Sequence, residues 1–335
     1  MHLVCESLLN NDFMIKKALI IGISGQDGSY LAEHLQSHNY KVYGIVRRHS
    51  VAENQNFRIS LLKNIKTYYG DLLDSQSIIQ VIKKIKPTEI YNLGAMSQVQ
   101  ISFDIPKFTI ETNGLALVDL LEYFKKDFKD VKFYQASSSE MFGNSIEKNG
   151  FQKLTTNMQP VSPYGCAKLL AYNLVNHYRK AYGLFLCNGI LFNHESPRRG
   201  SNFISTKIIK AAVEIKKGLR NKLEVGNLDS YRDWGHSKDY VRAMWLILNY
   251  KIPRNWVVAT GKSYSVRDLI NYVFKQLDLD FNKHVVVNQK YIRPHELNFL
   301  RGDSTETRSK LKWKPSYTFE KMINEMLNHW IENYK

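Results

Sequence analysis

The feature that most restricts the fold is a set of three glycines between an apolar run and an amphipathic segment. Residues 18–23 have the composition of a strand buried in a parallel sheet. Gly22, Gly25 and Gly28 follow, and residues 30–35 have helical periodicity. The order strand, glycine turn, helix predicts a phosphate-binding turn, because glycine lets the backbone approach a pyrophosphate at the positive helix N-terminus. The alternative is a plain turn without a ligand.

Strand and helix patterns alternate through the first half of the chain. Further strands are predicted over 41–46, 67–70, 89–93, 131–136 and 184–191, and helices over 75–86 and 106–126. This order predicts an α/β fold with a doubly wound, Rossmann-like parallel sheet. Ligands of such sheets bind beyond the carboxyl ends of the strands.

The second half has shorter elements. Helices are predicted over 202–217, 238–250, 266–277 and from Phe319 onward, strands over 223–227 and 256–261, and polar loops over 229–235 and 291–296. We therefore predict a nucleotide-binding domain over 15–200, with a contribution from about 236–262. A smaller α/β substrate lobe is predicted over 201–335. Residues 1–14 are predicted to be an extension, and Met14 is a natural domain start.

Charge and cysteine content restrict the class of partner. The net charge is +16, but the lysines are scattered, and no basic cluster is interleaved with aromatic residues. We therefore expect no nucleic-acid partner, and a solvated lysine surface or attraction of an anionic substrate explains the charge. No apolar run is long enough to span a membrane. Cys5, Cys166 and Cys187 lack metal or disulfide spacing, so we expect no metal and a reducing cytoplasm.

Two arginines follow the second predicted strand. Many NAD-binding proteins have an acid there, which contacts the ribose 2′-hydroxyl. Arg47 and Arg48 can instead bind a 2′-phosphate through bidentate hydrogen bonds, which favours NADP. A solvated basic turn is the alternative.

A hydroxyl, a carboxylate and a Tyr–Lys pair predict acid–base chemistry. Tyr164 and Lys168 are four residues apart, so they share one face of a helix. The lysine cation is expected to lower the tyrosine pKa and to make the pair a proton-transfer group near neutral pH. Ser138 and Glu140 directly follow a predicted strand, at the expected ligand-binding edge.

These motifs together resemble the GDP-mannose 4,6-dehydratase family of the extended short-chain dehydrogenase/reductases. The similarity runs from about Ile15 to Pro315. The residues that carry it are the runs 22–31, 46–48, 102–104, 139–140, 193–200 and 232–235, and the pair Arg293-Pro294. The runs Asn193 to Gly200 and Arg232 to Gly235 are typical of this family rather than of the wider superfamily.

The resemblance implies a role for each matching residue. Ser138, Glu140, Tyr164 and Lys168 would be catalytic. NADP would contact Gly22, Gly25, Asp27, Gly28, Arg47, Arg48, Asp71, Leu72, Leu93, Ala95, Ser97, Tyr164, Lys168, His194 and Arg199. The GDP-sugar would contact Asn193, Arg199, Lys207, Arg232, Arg293 and Glu296. A homodimer or homotetramer is also implied.

The implied reaction is an internal redox elimination that gives a 4-keto-6-deoxy sugar. Tyr164 would take the 4-hydroxyl proton, and Glu140 would take the carbon 5 proton and protonate the leaving 6-hydroxyl. Serine replaces the usual threonine at position 138, and Gln98 and Phe108 replace a common histidine and tyrosine. GDP-manno-heptose is therefore an alternative substrate. A related epimerase or reductase, or a non-catalytic NADP-binding protein, is a further alternative.

Overall fold

A computed structural model describes residues 15–48 and 58–334. The predicted extension over 1–14 lies outside the described residues. The strands are β1 Lys17–Ile21, β2 Lys41–Val46, β3 Lys66–Tyr69, β4 Glu89–Asn92, β5 Lys132–Ser138, β6 Leu186–Leu191, β7 Asn193–Glu195, β8 Leu223–Val225, β9 Tyr231–Arg232, β10 Trp234–His236, β11 Asn255–Val258, β12 Tyr264–Ser265 and β13 Val285–Val287.

Seven of these strands form one parallel sheet, in the order β11-β6-β5-β4-β1-β2-β3. The strand order reverses between β1 and β4, which lie side by side. In doubly wound sheets this reversal opens a crevice at the carboxyl ends of the strands. The predicted fold class is therefore confirmed.

The α-helices connect the strands and cover both faces of the sheet. They are Gln26–Ser37, Ser75–Ile85, Val99–Asp104, Pro106–Ile110, Leu117–Asp127, Pro163–Tyr182, Ile204–Lys216, Ser237–Leu248, Val266–Gln276, Phe281–His284, Thr305–Leu311 and Phe319–Asn333. A π-helix spans Glu111–Leu115, and 3₁₀-helices span Ser139–Phe142 and Gln289–Tyr291.

Two apolar cores hold these helices on the sheet. Leu31 and Met244 anchor helices Gln26–Ser37 and Ser237–Leu248 to one face, and Leu120 and Val175 anchor helices to the other. Each such fully buried aliphatic side chain contributes roughly 1.5–3 kcal/mol. A third core surrounds Trp234 in the C-terminal half. Two layers of packing thus fix the sheet, and a separate core fixes the elements that face its carboxyl edge.

Several element boundaries differ from the prediction by a few residues, and three differences go beyond such shifts. The helix predicted over 106–126 is divided by the π-helix Glu111–Leu115. The loop predicted over 229–235 contains β9 and β10, which pair with β12 and β7. Strand β5 continues to Ser138, because Ser137 and Ser138 pair in register with β6. Within the described ranges, no helix has both the length and the apolar composition of a membrane span.

Candidate active site

A cleft of about 610 Å³ opens at the carboxyl ends of the sheet strands. Fifteen of the residues that the sequence singled out line it: Asp27, Leu93, Ala95, Ser97, Ser138, Glu140, Tyr164, Lys168, Asn193, His194, Arg199, Lys207, Arg232, Arg293 and Glu296. The other seven lie beside it. Gly22, Gly25 and Gly28 form the turn after β1, Arg47 and Arg48 follow β2, and Asp71 and Leu72 follow β3.

The glycine turn has the backbone that its sequence predicts. Gly22 has φ +85°, and a Cβ atom there would lie 2.8 Å from Gly94 N. A Cβ atom on Gly28 would lie 2.3 Å from Gly22 O. Gly25 is the N-cap of helix Gln26–Ser37 and provides no side-chain cap for the N–H groups of the first turn. The turn therefore presents free backbone donors to an anion, as a pyrophosphate requires.

The side chains of Asp27 and His194 bind each other across this turn. His194 Nε2 lies 2.6 Å from Asp27 Oδ2, and His194 Nδ1 lies 2.7 Å from Phe192 O. Ser237 Oγ donates to Asp27 Oδ1 at 2.7 Å. The charge and hydrogen bonds of His194 lower the Asp27 pKa to about 2 despite burial, and Asp27 raises the His194 pKa. Both ring nitrogens of His194 are thus engaged within the protein.

Tyr164 and Lys168 lie in the first two turns of helix Pro163–Tyr182. The helix begins here because Ser162 Oγ accepts a hydrogen bond from Gly165 N at 3.0 Å and Pro163 occupies the first position. Lys168 Nζ donates to Ala136 O at 3.0 Å and lies 5.7 Å from the Tyr164 ring centroid. The structure therefore brings the predicted pair together at the end of β5.

The expected lowering of the tyrosine pKa is wrong for the protein alone. Burial raises the pKa of Tyr164 to about 12, although a hydrogen bond with Ser138 lowers it. Burial also lowers the pKa of Lys168 to about 8. The Lys168 cation does not compensate for the removal of the phenolate from water. At neutral pH Tyr164 therefore carries its proton in the protein alone.

Glu140 presents an unpartnered oxygen to the cleft. It lies in the 3₁₀-helix Ser139–Phe142, which is capped by a hydrogen bond from Glu140 N to Ser138 Oγ at 3.2 Å. Its side chain is buried, and Oε2 has no hydrogen-bond partner among the described residues. Arg293 NH1 lies 3.7 Å from Oε1. A buried carboxylate oxygen without a donor is costly, so a ligand that supplies a proton there is favoured.

Four cationic side chains line the outer part of the cleft. Arg232 is buried, which lowers its pKa to about 10, and the Glu140 carboxylate is the charge that most opposes this shift. Arg199 Nε lies 3.0 Å from Glu195 Oε2, and its guanidinium lies 3.5 Å from the Phe203 ring centroid. Arg293 and Lys207 complete the set, which suits an anionic substrate better than a neutral one.

The sequence did not indicate several cleft residues. Ser230 is buried, and its Oγ has no hydrogen-bond partner in the described part of the chain. Tyr291 lies beside the cleft with Lys207 Nζ 3.6 Å from its ring centroid. Gln98, by contrast, was named from the sequence as the replacement of a common histidine; it lines the cleft, and its Nε2 donates to Asn202 O at 3.0 Å. Only the proximity of Ser230 and Tyr291 to the Arg232 and Arg293 motifs could have identified them, since their residue types are ordinary in loops.

Known proteins match this chain over nearly its whole length. A family model described as GDP-mannose 4,6 dehydratase matches residues 19–326. The human GDP-mannose 4,6 dehydratase is 45% identical over 94% of this chain and 91% of its own length. A Vibrio cholerae GDP-mannose 4,6-dehydratase is 40% identical over 94% of this chain and 93% of its own length.

Solved structures with the same fold are more distant in sequence. A dTDP-glucose 4,6-dehydratase from Bacillus anthracis, solved with NAD, has a TM-score of 0.81, 22% identity and coverage of 95% and 97% of the two chains. A Pseudomonas aeruginosa protein solved with NADPH has a TM-score of 0.77, 22% identity and coverage of 95% and 99%.

The relatives that are 40–45% identical over nearly the whole chain show that this protein is a nucleotide-sugar dehydratase built on a doubly wound parallel sheet. The family model, which matches residues 19–326, identifies the particular family. The chain belongs to the GDP-mannose 4,6-dehydratase family.

Proposed function

We propose that this protein converts GDP-mannose to GDP-4-keto-6-deoxy-mannose with NADP as its resident cofactor. One observation carries the proposal beyond the family match. Glu140, whose buried Oε2 has no hydrogen-bond partner among the described residues, lines the same cleft as Ser138 and Tyr164. A dehydratase needs a base for the carbon 5 proton in addition to the group that handles the 4-hydroxyl proton, whereas an epimerase or reductase does not.

The first proton transfer is assigned to Tyr164. The Tyr164 phenolate, formed once the cofactor is bound, takes the proton of the sugar 4-hydroxyl, and Ser138 Oγ holds that hydroxyl in place. NADP, when bound, supplies the hydride acceptor for carbon 4 and the donor for carbon 6, and its nicotinamide cation favours the Tyr164 phenolate. Lys168 Nζ, fixed on Ala136 O at 3.0 Å, adds a second positive charge on the same face of the helix.

Glu140 is assigned the elimination. The 4-ketone acidifies the carbon 5 proton, which the carboxylate removes, and the same group protonates the leaving 6-hydroxyl so that water departs. The neighbouring Arg293 holds one carboxylate oxygen and leaves Oε2 available for this transfer. A single carboxyl group suits both roles because the proton that it takes from carbon 5 is the one that it gives to the leaving group.

The GDP part is assigned to the cationic wall of the cleft. Arg232 and Arg293 bind the diphosphate, because guanidinium groups bind phosphate oxygens through paired hydrogen bonds. Lys207 and Arg199 add charge nearby, Asn193 donates from the start of β7, and Glu296 fixes the Arg293 loop through Arg293 N at 2.7 Å.

The dinucleotide is assigned to the glycine turn. Its backbone donors suit the pyrophosphate, and the close backbone packing at Gly22 and Gly28 leaves no room for a Cβ atom. Arg47 and Arg48 are exposed after β2, where they suit the 2′-phosphate of NADP. The remaining assigned contacts are Gly25, Asp27, Asp71, Leu72, Leu93, Ala95, Ser97, His194 and Arg199.

We also propose a cytoplasmic homodimer or homotetramer. Ile101, Ile105 and Leu115 are large apolar side chains that remain 38–50% exposed on neighbouring helical segments. Such a patch favours contact with a second copy of the chain. Light scattering at micromolar concentration is expected to give twice or four times the monomer mass, and a monomer alone would contradict the assembly.

The deciding experiment compares two substrates. Purified protein with NADP is incubated with GDP-mannose and, separately, with GDP-manno-heptose, and the product masses are followed. A product one water lighter than GDP-mannose supports the proposal. A lighter product from the heptose alone would assign the heptose as substrate, an unchanged mass with a new sugar epimer would assign an epimerase, and no conversion of either would refute the dehydratase assignment.

A further inference from the structure

The segment from Asn193 to Arg199 has two faces with different partners. It begins as strand β7 and then turns at Pro197 and Arg198, where Arg199 N donates to Ser196 O at 2.9 Å. The side chains of His194, Ser196 and Arg198 bond to the helix that follows the glycine turn. Asn193, Glu195 and Arg199 line the cleft, and His194 also reaches it. We call residues 193–199 the two-faced strip.

One face of the strip is hydrogen-bonded to helix Gln26–Ser37. Ser196 Oγ donates to Gln26 Oε1 at 2.7 Å, and Gln26 Nε2 donates to His194 O at 3.1 Å. Arg198 NH1 donates to Ser29 Oγ at 3.1 Å, and its NH2 lies 2.5 Å from Glu33 Oε1. The bonded helix positions 26, 29 and 33 follow the spacing of one helix face.

Arg58 also links the strip to the glycine turn through hydrogen bonds. Arg58 Nε donates to Arg198 O at 2.8 Å, and Arg58 NH1 donates to Ser24 O at 3.3 Å. The Arg198 guanidinium lies 3.9 Å from the Tyr30 ring centroid, so it is held by packing as well as by hydrogen bonds. Arg198 thus contacts the cofactor side through both its side chain and its backbone, and it does so at the end of the strip next to Arg199.

The other face of the strip reaches the substrate side. Glu195 is buried, and its Oε2 accepts from Ser205 Oγ at 2.6 Å and contacts Arg199 Nε at 3.0 Å. Strand β7 also pairs with β10, which begins two residues after Arg232. Two of the side chains assigned to the GDP-sugar, those of Asn193 and Arg199, therefore sit on the backbone that the cofactor helix holds.

We propose that Arg198 is a positioning residue that couples the two ligand sites, so that the dinucleotide and the GDP-sugar strengthen each other's binding. The inference rests on the proposed function, because it takes the cofactor at the glycine turn and GDP-mannose in the cleft. A ligand bound at the turn restricts the motion of the first turns of the helix. Because Arg198 is bonded to this helix, the backbone of the strip is restricted with it, and Arg199 and Asn193 are held in position to bind the GDP-sugar. Such coupling is reciprocal by thermodynamic necessity and typically amounts to about 5–150-fold in affinity.

The test titrates GDP-mannose calorimetrically into the full chain, with and without saturating NADPH. NADPH cannot accept a hydride, so the sugar nucleotide binds without turnover. The wild-type protein is expected to bind GDP-mannose at least about fivefold more tightly with NADPH. In Arg198→Ala and in the milder Glu33→Gln, the ratio of the two affinities is expected to fall toward one.

A matched ion pair provides the control. Arg254 NH2 lies 2.6 Å from Glu306 Oε1, and Glu306 is 41% exposed, close to the 40% of Glu33. Neither Arg254 nor Glu306 lines the cleft. Glu306→Gln should therefore keep the wild-type ratio. A ratio of one in the wild type, or a wild-type ratio in Glu33→Gln and in folded Arg198→Ala, would overturn the coupling. No binding of GDP-mannose to either form would instead refute the proposed function.

Discussion

Replacement of Lys168 by Met is expected to stabilise the cofactor-free protein at neutral pH while it abolishes activity. Lys168 is 4% exposed, and burial lowers its pKa from 10.5 to about 8. At 1.36 kcal/mol per pKa unit, holding the ammonium in this site costs the folded state about 3 kcal/mol. Loss of the hydrogen bond to Ala136 O offsets about 1 kcal/mol of this gain. The expected net increase in the free energy of unfolding is about 2 kcal/mol.

The sign of the pH dependence follows from the direction of the shift. The folded-state pKa of Lys168 lies below the unfolded value, so the unfolded chain binds more protons between pH 8 and 10.5. Linkage therefore makes the wild-type free energy of unfolding rise in this range by about 1.4 kcal/mol per pH unit from this group. The Met variant lacks this rise. The excess of its free energy of unfolding over that of the wild type is therefore largest below pH 8 and is lost as the pH increases toward 10.5.

Urea unfolding without nucleotide, followed by tryptophan fluorescence at about pH 7 and about pH 9.5, measures both quantities. Lys180 is exposed on the same helix, so Lys180→Met is the control and should match the wild type at both pH values. A Lys168→Met variant less stable than the wild type at neutral pH would refute the reasoning. So would an advantage that is equal at the two pH values.

Three further outcomes follow from the site. Arg47→Ala should reduce the preference for NADP over NAD in fluorescence titrations, and an unchanged preference would exclude a 2′-phosphate contact. The His194 pKa is raised by Asp27, so the stability from this pair is full below pH 6.5 and is lost as the pH rises through the folded value. His194→Gln should therefore flatten the alkaline fall in melting temperature, and a wild-type slope would contradict this. Ser230→Ala should weaken GDP-mannose binding about 2–10-fold with NADP binding unchanged, and equal affinity would leave its hydroxyl without a role.

The central sheet could be predicted because its strands carry strong local signals. Residues 18–23 and 42–46 are continuous apolar runs, and glycine or helix patterns separate them. Strands β7, β9, β10 and β12 have two or three residues each, too few to show any periodicity. Their pairing depends on partners distant in the sequence, so only the folded chain defines them.

The sequence could predict which residues form the site, but it could not predict their pKa values. The Tyr–Lys spacing placed Tyr164 and Lys168 on one helix face, but their pKa values depend on burial, which spacing does not encode. The absence of a hydrogen-bond partner for the buried Ser230 Oγ, among the described residues, also depends on burial and could not be predicted from the sequence. The different partners of the two faces of the strip 193–199 could not be predicted either, because the sequence does not show that helix Gln26–Ser37 packs against one of them.

The most direct test of the account follows exchange of the carbon 5 hydrogen of GDP-mannose in deuterated water with the NADP-loaded Glu140→Gln variant. Exchange requires both the 4-ketone and a working base, and general acid–base groups contribute about 10²–10⁴-fold in rate. Glu296→Gln, a second carboxylate of the same cleft, should retain exchange even with weaker binding. The account predicts no exchange and no dehydrated product from Glu140→Gln, although NADP stays bound. Dehydrated product at near the wild-type rate would show that Glu140 is not the eliminating base.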